Sequence, residues 1–297
     1  MAKSLPVALL PVGALIVNAF VWGISWWPLR ELQSAGLHPL WSTVIMYCFA
    51  LLVVLSVKPM AWRGLVQYPQ LWLLLLASGL TNVGFNWAVS ISDVVRVLIL
   101  FYLMPAWAVL LAWLVLKERP SSSAIVRLLL AFVGVMVVLI PVNPSSGATA
   151  LSIHFSFADG LSLMGGFCFA LTNVLLKKLG NTPSEARMFA MFMGGVLLAL
   201  IAGGAGMTQG WVTALPTVTA YWAWVAAALS LAFLLGNTAL QYGAARLPSS
   251  TTSVVMLTEV IFGSLSSVAL GAAVLDARTL AGGSLIVLAA VLAAFDN

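Results

Sequence analysis

Charge is what this sequence has least of. Only 7% of its 297 residues are Asp, Glu, Lys or Arg, whereas 62% are hydrophobic. A soluble domain carries roughly 25% charged residues, and so few charges could not cover a surface in water. The composition therefore excludes a soluble globular domain and indicates a protein whose main solvent is lipid.

The sequence also lacks the residue patterns that enzymes, pumps and channels need. Its two cysteines, Cys48 and Cys168, fall in apolar segments, so we expect buried thiols rather than a disulfide framework. The two histidines, His38 and His154, belong to predicted loops, and neither begins a His-Glu-x-x-His motif. A Gly-x-Ser-x-Gly motif, a phosphate-binding P-loop and a carbonyl-lined ion filter are missing as well. We therefore expect no enzyme, no ATP-driven pump, no metal site and no cofactor.

What the sequence has in abundance is apolar segments of about 20 residues, the length at which a helix crosses a bilayer. Closed β-barrels also cross bilayers, but they require short alternating strands that these segments do not show. The sequence thus predicts an all-α integral membrane protein with ten transmembrane helices. The predicted helices are 5–29, 37–57, 69–89, 94–116, 122–141, 156–178, 185–204, 219–243, 250–271 and 278–295.

The basic residues are distributed unevenly between the two sides of these helices. Ten of the 13 lysines and arginines lie at or near breaks on the side of the N-terminus, and only Arg30, Arg96 and Arg278 lie on the other. The positive-inside rule then places both termini in the cytoplasm. A nucleic-acid partner is not expected, because the chain has no basic, solvated face with stacking aromatic residues.

The longest stretch without a predicted helix is 142–155, which is rich in small polar residues, Gly and Pro. It divides the chain into two halves, 1–145 and 146–297, with five predicted helices each. Because five is an odd number, the second half must enter the membrane in the opposite orientation. The sequence therefore predicts two inverted repeats.

Paired amides occur in the third predicted helix of each half. Asn82 and Asn86 are four residues apart and share one helix face, and a shift of 155 residues places them on Asn237 and Gln241. The amides could simply form hydrogen bonds between helices, each contributing on the order of 0.6–2 kcal/mol. They could instead line a central cavity, where alternating-access transporters bind their substrate. Their recurrence in both halves favours the cavity.

Aromatic residues mark the first helix of each half. Trp22, Ser25 and Trp26 share a face of the first predicted helix, and a shift of 147 residues places Phe169 and Asn173 on Trp22 and Trp26. Two interpretations stay open. The rings could pack only against protein, or they could form a platform for an apolar or aromatic solute.

The fourth and ninth predicted helices carry two further candidates. Tyr102 and Trp107 flank Pro105, which should kink the helix and serve as a hinge, a site lining or a purely structural bend. Glu259, with Met256 on the same face, is the one acidic residue well inside a predicted helix. An intramembrane carboxyl is costly and marks a functional residue by default. Its role could be gating or packing, contact with the substrate, or coupling to protons.

Segment 103–138 resembles the fourth and fifth helices of the EamA-type repeat, and segment 247–265 resembles the corresponding part of its second repeat. Pro105, Glu118, Gly134 and Gly282 stand at family positions, whereas Val260 and Ala273 depart from the family's proline and glutamate. The resemblance implies a ten-helix carrier of the drug/metabolite transporter superfamily, most similar to YddG-type exporters of aromatic amino acids.

The resemblance further implies a secondary exporter of small amphipathic metabolites in the bacterial cytoplasmic membrane. Aromatic or other hydrophobic amino acids are the expected substrates, and the lipid bilayer is the expected surroundings. A carrier of cationic drugs or nucleosides is the alternative, and an intramembrane enzyme is less favoured. Whether the protein is a monomer or a homodimer stays open.

Overall fold

A computed structural model describes residues 9–92, 97, 100–139, 155–270 and 277–295. The regular secondary structure of these residues is entirely helical, which confirms the all-α prediction. The helices are α1 (Leu9–Ile24), α2 (Trp26–Ser34), α3 (Pro39–Val57), α4 (Gly64–Gln67), α5 (Leu71–Ile91), α6 (Met104–Leu111), α7 (Ser122–Leu139), α8 (Phe157–Lys178), α9 (Ser184–Thr208), α10 (Ala220–Ala244), α11 (Ser249–Met256), α12 (Glu259–Ala269) and α13 (Ala277–Phe295).

Six helical segments are long and apolar enough to cross a membrane. They are Leu9–Ser34, Pro39–Val57, Leu71–Ala88, Phe157–Lys178, Ser184–Thr208 and Ala220–Ala244. Shorter apolar helices cover Met104–Leu116, Ser122–Val137 and Leu280–Ala289. Six of the ten predicted helices therefore coincide with helices of membrane length. The other four overlap shorter or interrupted helices, so the count of ten stays a prediction.

Two of the predicted helices are interrupted at corresponding places. In the fourth, Tyr102–Leu103 form a turn before α6 begins at Met104. In the ninth, Leu257–Thr258 form a turn before α12 begins at Glu259. The shift of 155 residues that relates the paired amides also relates these two breaks. Pro105, which cannot donate a backbone hydrogen bond, occupies the first turn of α6.

The first predicted helix also contains a break, at Ser25 between α1 and α2. The Ser25 hydroxyl donates to the carbonyl oxygen of Trp22 at 2.7 Å, and the Ser25 backbone N–H bonds to the same oxygen at 3.1 Å. A serine that bonds to its own preceding turn competes with the regular helical ladder, which explains the break here.

The helices pack in pairs that have counterparts in the other half of the chain. Helix α5 packs against α8 and α9, while α10 packs against α1 and α3. Likewise α6 packs against α8, and α12 packs against α1. When each helix is replaced by its equivalent in the other half, five predicted helices along the chain, the pair α5–α8 corresponds to α10–α1. In the same way α5–α9 corresponds to α10–α3, and α6–α8 corresponds to α12–α1. The remaining major pairs, α3 with α9 and α7 with α13, are their own counterparts.

Glycines permit the closest of these helix crossings. A Cβ atom on Gly134 of α7 would lie 2.7 Å from the carbonyl oxygen of Gly282 in α13. A Cβ atom on Gly23 of α1 would lie 2.8 Å from the carbonyl oxygen of Glu259. Any larger residue would push these helices apart, as expected where small residues bring membrane helices together. The two glycines identified by resemblance, Gly134 and Gly282, therefore contact each other.

Candidate functional site

A chain of aromatic rings runs through the bundle and joins both halves of the protein. Neighbouring ring centroids are 4.8–6.3 Å apart along the sequence Phe192, Tyr47, Phe233, Trp22, Phe85, Phe101 and Phe169. Most neighbours meet edge to face, the arrangement that the ring quadrupole favours. Trp22 is the centre of this aromatic chain, because it contacts Phe233 of the second half and Phe85 of the first.

Sequence reasoning identified Trp22 and Phe169 but missed the other rings of the aromatic chain. A signal was present in two cases, because Phe85 lies three residues after Asn82 and Phe233 lies four residues before Asn237. Each phenylalanine therefore shares a helix face with an asparagine that the sequence predicts as a site residue. Tyr47 of α3 had no such neighbour in the sequence.

Asn82 and Asn237 are brought together by the hydroxyl of Tyr47. This hydroxyl donates to Oδ1 of Asn82 at 2.8 Å and is also hydrogen-bonded to the Asn237 side chain. A phenol hydroxyl can donate once and accept as well, so it can serve both amides. The two amides have the same local geometry, since their Nδ2 atoms donate to the carbonyl oxygens four residues earlier, Ser78 and Phe233, at 2.8 and 2.9 Å.

Asn86 and Gln241, the second member of each pair, have separate partners. Nδ2 of Asn86 donates to Oγ1 of Thr43 at 2.5 Å, near the start of α3. Oε1 of Gln241 accepts from Nε of Arg187 at 3.4 Å, near the start of α9. In both halves the amide therefore bonds to the preceding long helix, but the two sites are distinct.

These two sites lie on opposite sides of Tyr47 along the helix pair α3 and α9, because Asn86 and Gln241 are each about one helical turn from the amide beside Tyr47. Nε1 of Trp41 donates to the carbonyl oxygen of Thr213 at 2.8 Å, which places the start of α3 beside the end of α9. Arg187 is near the start of α9, at the other end of this antiparallel pair. The structure thus brings Asn82 and Asn237 to one place and directs Asn86 and Gln241 in opposite directions from it.

The polar face of the first helix contacts the interrupted ninth one. Nδ2 of Asn18 donates to Sδ of Met256 at 3.4 Å, and Nε1 of Trp26 donates to Oγ of Ser266 at 2.9 Å. The first contact places Met256 of α11 beside α1, the helix that also carries Trp22. The two contacts also fix α1 against α11 and α2 against α12, on the two sides of the Leu257–Thr258 break.

Tyr102 and Glu259 are joined by a hydrogen bond between their side chains. One residue lies in the break before α6 and the other directly follows the break before α12, so the bond links the two corresponding interruptions. Trp107 is different: it packs edge to face on Phe167 with 5.7 Å between centroids. Trp107 is therefore separate from the aromatic chain through the bundle, although α6 carries it.

Several buried polar atoms have no hydrogen-bond partner among the described residues. On α8 and α11, which pack against each other, they are both amide atoms of Asn173, Oγ1 of Thr172 and Thr252, and Oγ of Ser249 and Ser253. Buried polar atoms in proteins nearly always have a partner, from protein, water or ligand. All of these groups are neutral donors or acceptors. The helix pair α8 and α11 thus contains unused hydrogen-bonding capacity, at Asn173 and at four hydroxyl groups that were not predicted as site residues.

One comparison with known proteins concerns the first half of the chain. Residues 9–140, a little under half of the chain, match the model of the EamA-like transporter family. This match and the six apolar helices of membrane length support an integral membrane protein. The match confirms the resemblance seen in segment 103–138. The resemblance of segment 247–265 lies outside the matched residues.

A chain from a solved crystal structure has a similar fold throughout. It superposes with a TM-score of 0.76 at 14% sequence identity, and the alignment covers 95% of this chain and 96% of the other. At this identity the likeness shows the fold alone. No curated protein matches the sequence.

Proposed function

We propose that the protein is a secondary transporter that exports small amphipathic metabolites, chiefly aromatic and other hydrophobic amino acids. One observation carries this proposal: the aromatic chain through Trp22 and Phe169 ends beside Asn173, whose two amide atoms are buried without partners. Aromatic rings suit an apolar side chain. Unused neutral donors and acceptors suit the polar end of the same solute. The EamA-like domain supports a carrier rather than an enzyme.

The same proposal includes two inverted repeats, 1–145 and 146–297, that work by alternating access. Two observations support it: each major helix pair has an equivalent pair when the two halves are interchanged, and the breaks at Tyr102–Leu103 and Leu257–Thr258 are equivalent. The boundary of the repeats lies in residues 140–154, outside the described residues. In this scheme the ten helices leave both termini in the cytoplasm of a bacterial cell.

Alternating access requires elements that have two arrangements. The bond between Tyr102 and Glu259 joins the two broken helices, one from each half, and can form in one arrangement and open in the other. Pro105 is the second residue of α6, in the turn that follows the first break, and provides the hinge there. Asn82, Asn237 and Tyr47 join the halves at a second place.

A carrier of organic cations is the second candidate. Glu259 favours it, because this carboxyl lies beside Tyr102, and Tyr102 in turn contacts Phe101 of the aromatic chain at 6.1 Å between centroids. A carboxylate next to aromatic faces is the chemistry that binds an organic cation.

Counterflow in proteoliposomes tests the proposal. The purified protein is reconstituted into liposomes, and each batch is loaded with one unlabelled solute and given the same solute in labelled form: phenylalanine, tryptophan, leucine, a nucleoside or tetraphenylphosphonium. Protein-free liposomes correct for passive entry. Saturable counterflow of the amino acids is expected. Uptake of the organic cation alone would favour the second candidate, and non-saturable uptake of all solutes would indicate a channel. Liposomes with no counterflow of any solute, despite folded protein, would contradict both candidates.

A further inference from the structure

Arg187, at the start of α9, is a buried cation. Only 5% of its surface is exposed. Its Nη1 atom donates to three carbonyl oxygens, those of Leu179, Gly180 and Thr182, at 2.7, 2.9 and 2.8 Å. The guanidinium thus binds the chain that leaves α8. These carbonyl groups follow the C-terminus of α8, so they supply the partial negative charge of a helix end but not a full counter-charge.

No carboxylate is bonded to this guanidinium within the described part of the chain. Its one further bond runs from Nε to Oε1 of Gln241 and is long, at 3.4 Å. The Nη2 atom has no acceptor there. Glu185 interacts with Arg187 favourably through space, whereas Arg246 repels it. A buried charge with an unused pair of N–H groups and a second cation nearby is the usual setting for an anion.

Gln241 supplies an independent second observation. This side chain is only 3% exposed, and its Nε2 atom is buried without an acceptor, although Oε1 of the same amide contacts Arg187. Two unused donors, Nη2 of Arg187 and Nε2 of Gln241, therefore belong to side chains that touch each other. Arg246 stacks on the ring of Tyr242, with 3.9 Å between its Cζ atom and the ring centroid, and it is exposed. It is close enough to Arg187 for the two charges to repel each other.

We propose that Arg187, Gln241 and Arg246 form an oxyanion site, and that its ligand is the carboxylate of the transported solute. Planar guanidinium and amide donors match a carboxylate, which accepts two parallel hydrogen bonds. The site lies toward one end of the α3 and α9 pair, about one helical turn beyond Asn237 and Tyr47, and would receive the solute before or after it contacts the rings of the aromatic chain. This inference rests on the proposed function. The headgroup phosphate of an anionic lipid offers the same chemistry, so the test includes lipid.

The test measures binding rather than flux, with the full-length protein in nanodiscs of phosphatidylcholine. The probes are 3-phenylpropionate and its neutral isostere 3-phenylpropanamide, which differ only in the anionic oxygen. We expect the acid to bind about tenfold more tightly, the effect of one charge-assisted hydrogen bond. Isothermal titration calorimetry gives both affinities.

Two variants and a control locate the preference. Gln241→Met removes the Nε2 donor without changing the bonds of Arg187 to the carbonyl groups, so it should keep its unfolding temperature and lose several-fold of the acid preference. Arg187→Lys keeps the charge but lacks the N–H donors of Nη2, so it should lose most of the preference for the acid. Arg63→Gln, an exposed arginine in the turn after α3, should keep the full preference. An unchanged preference in both folded variants would overturn the site.

The remaining outcomes separate the site from the lipid and from the proposed function. If phosphatidylglycerol in the nanodisc abolishes acid binding, and does so less in Arg187→Lys, a lipid phosphate occupies the site and the assignment to a solute is overturned. Retained acid preference without any counterflow would contradict the proposed function alone. Counterflow of amino acids with equal binding of acid and amide would overturn the oxyanion site alone.

Discussion

The hydroxyl of Tyr47 donates a hydrogen bond to Oδ1 of Asn82 at 2.8 Å, and the same hydroxyl is bonded to Asn237. Tyr47 and Asn82 belong to the first half of the chain, and Asn237 belongs to the second. For these two amides the structure provides the interhelical bonds that one interpretation of the paired amides requires. Contact of the same amides with a solute stays a prediction.

Tyr47→Phe should destabilise the protein without altering its shape. The variant removes the bonds to both asparagines and leaves two buried amides less satisfied, so the free energy of unfolding should fall by about 1–2 kcal/mol. Urea unfolding in detergent micelles, followed by tryptophan fluorescence, measures this. Tyr221→Phe removes an exposed bond to Glu31 and serves as the control, with an expected change of under about 0.5 kcal/mol. An equal loss in both variants would refute the bridging role of Tyr47.

Cysteine labelling decides whether the paired amides also line a cavity. We expect cysteines at Asn82, Asn86, Asn237 and Gln241, in a protein without Cys48 and Cys168, to react with a small hydrophilic thiol reagent. Saturating substrate should slow each reaction. Because Asn86 and Gln241 lie toward opposite ends, reagent added to one side should reach one of them first. Four cysteines that stay inert from both sides would leave the amides as structural hydrogen bonds only.

Replacing Trp22 tests the aromatic chain. Trp22→Leu removes the ring at the centre of the aromatic chain. Its contact with an aromatic solute would be worth about 0.5–1.5 kcal/mol, so half-saturation for tryptophan should rise about twofold to tenfold. Leucine transport should change less, since an aliphatic solute gains no ring contact. Trp224→Leu, at a residue that is 77% exposed, is the matched control. An equal effect on both substrates would show that Trp22 serves packing alone.

Hydrophobic segment length was enough to predict where the six helices of membrane length occur, because the thickness of the lipid bilayer fixes that length. The shift of 155 residues also anticipated that Tyr102–Leu103 and Leu257–Thr258 would correspond, although not that both would be breaks. The break at Ser25 could not be predicted, since it depends on one local hydroxyl bond. Tyr47 and Phe101 were missed because their importance comes from neighbours on other helices, which periodicity along one helix does not reveal.

The orientation of the chain can be tested by labelling from outside the cell. A single cysteine at Ser146, which lies outside the described residues, should react with an impermeant thiol reagent in intact cells when Cys48 and Cys168 are replaced. A cysteine at Ser122, at the start of α7, should react only after the cells are opened. The physical reason is the excess of basic residues on the side of the N-terminus. The opposite pattern would invert the proposed topology.

The bond between Tyr102 and Glu259 yields the sharpest test of how the carrier moves. Glu259→Gln keeps the shape of the side chain and an oxygen that accepts from the Tyr102 hydroxyl, so downhill flux should stay within about twofold of normal if the residue serves gating or packing. Glu259→Leu removes the acceptor and leaves the buried hydroxyl of Tyr102 unpaired, so flux or yield should fall at least about fivefold. Tyr102→Phe removes the same bond from the other side. The loss of flux in the double variant should therefore not exceed that in Glu259→Leu alone, because both substitutions delete one interaction.

Other outcomes for Glu259→Gln would assign a different role to this carboxyl. Loss of pH-driven accumulation with normal exchange of substrate would mean that Glu259 carries a coupling proton. Loss of both exchange and net flux, in a variant that folds and reaches the membrane, would contradict gating and coupling alike. The charge itself would then bind the substrate, and a cationic group on the solute would be its partner. In that case tetraphenylphosphonium uptake should fall in parallel with amino acid uptake, whereas a carboxylate probe such as 3-phenylpropionate should bind as before.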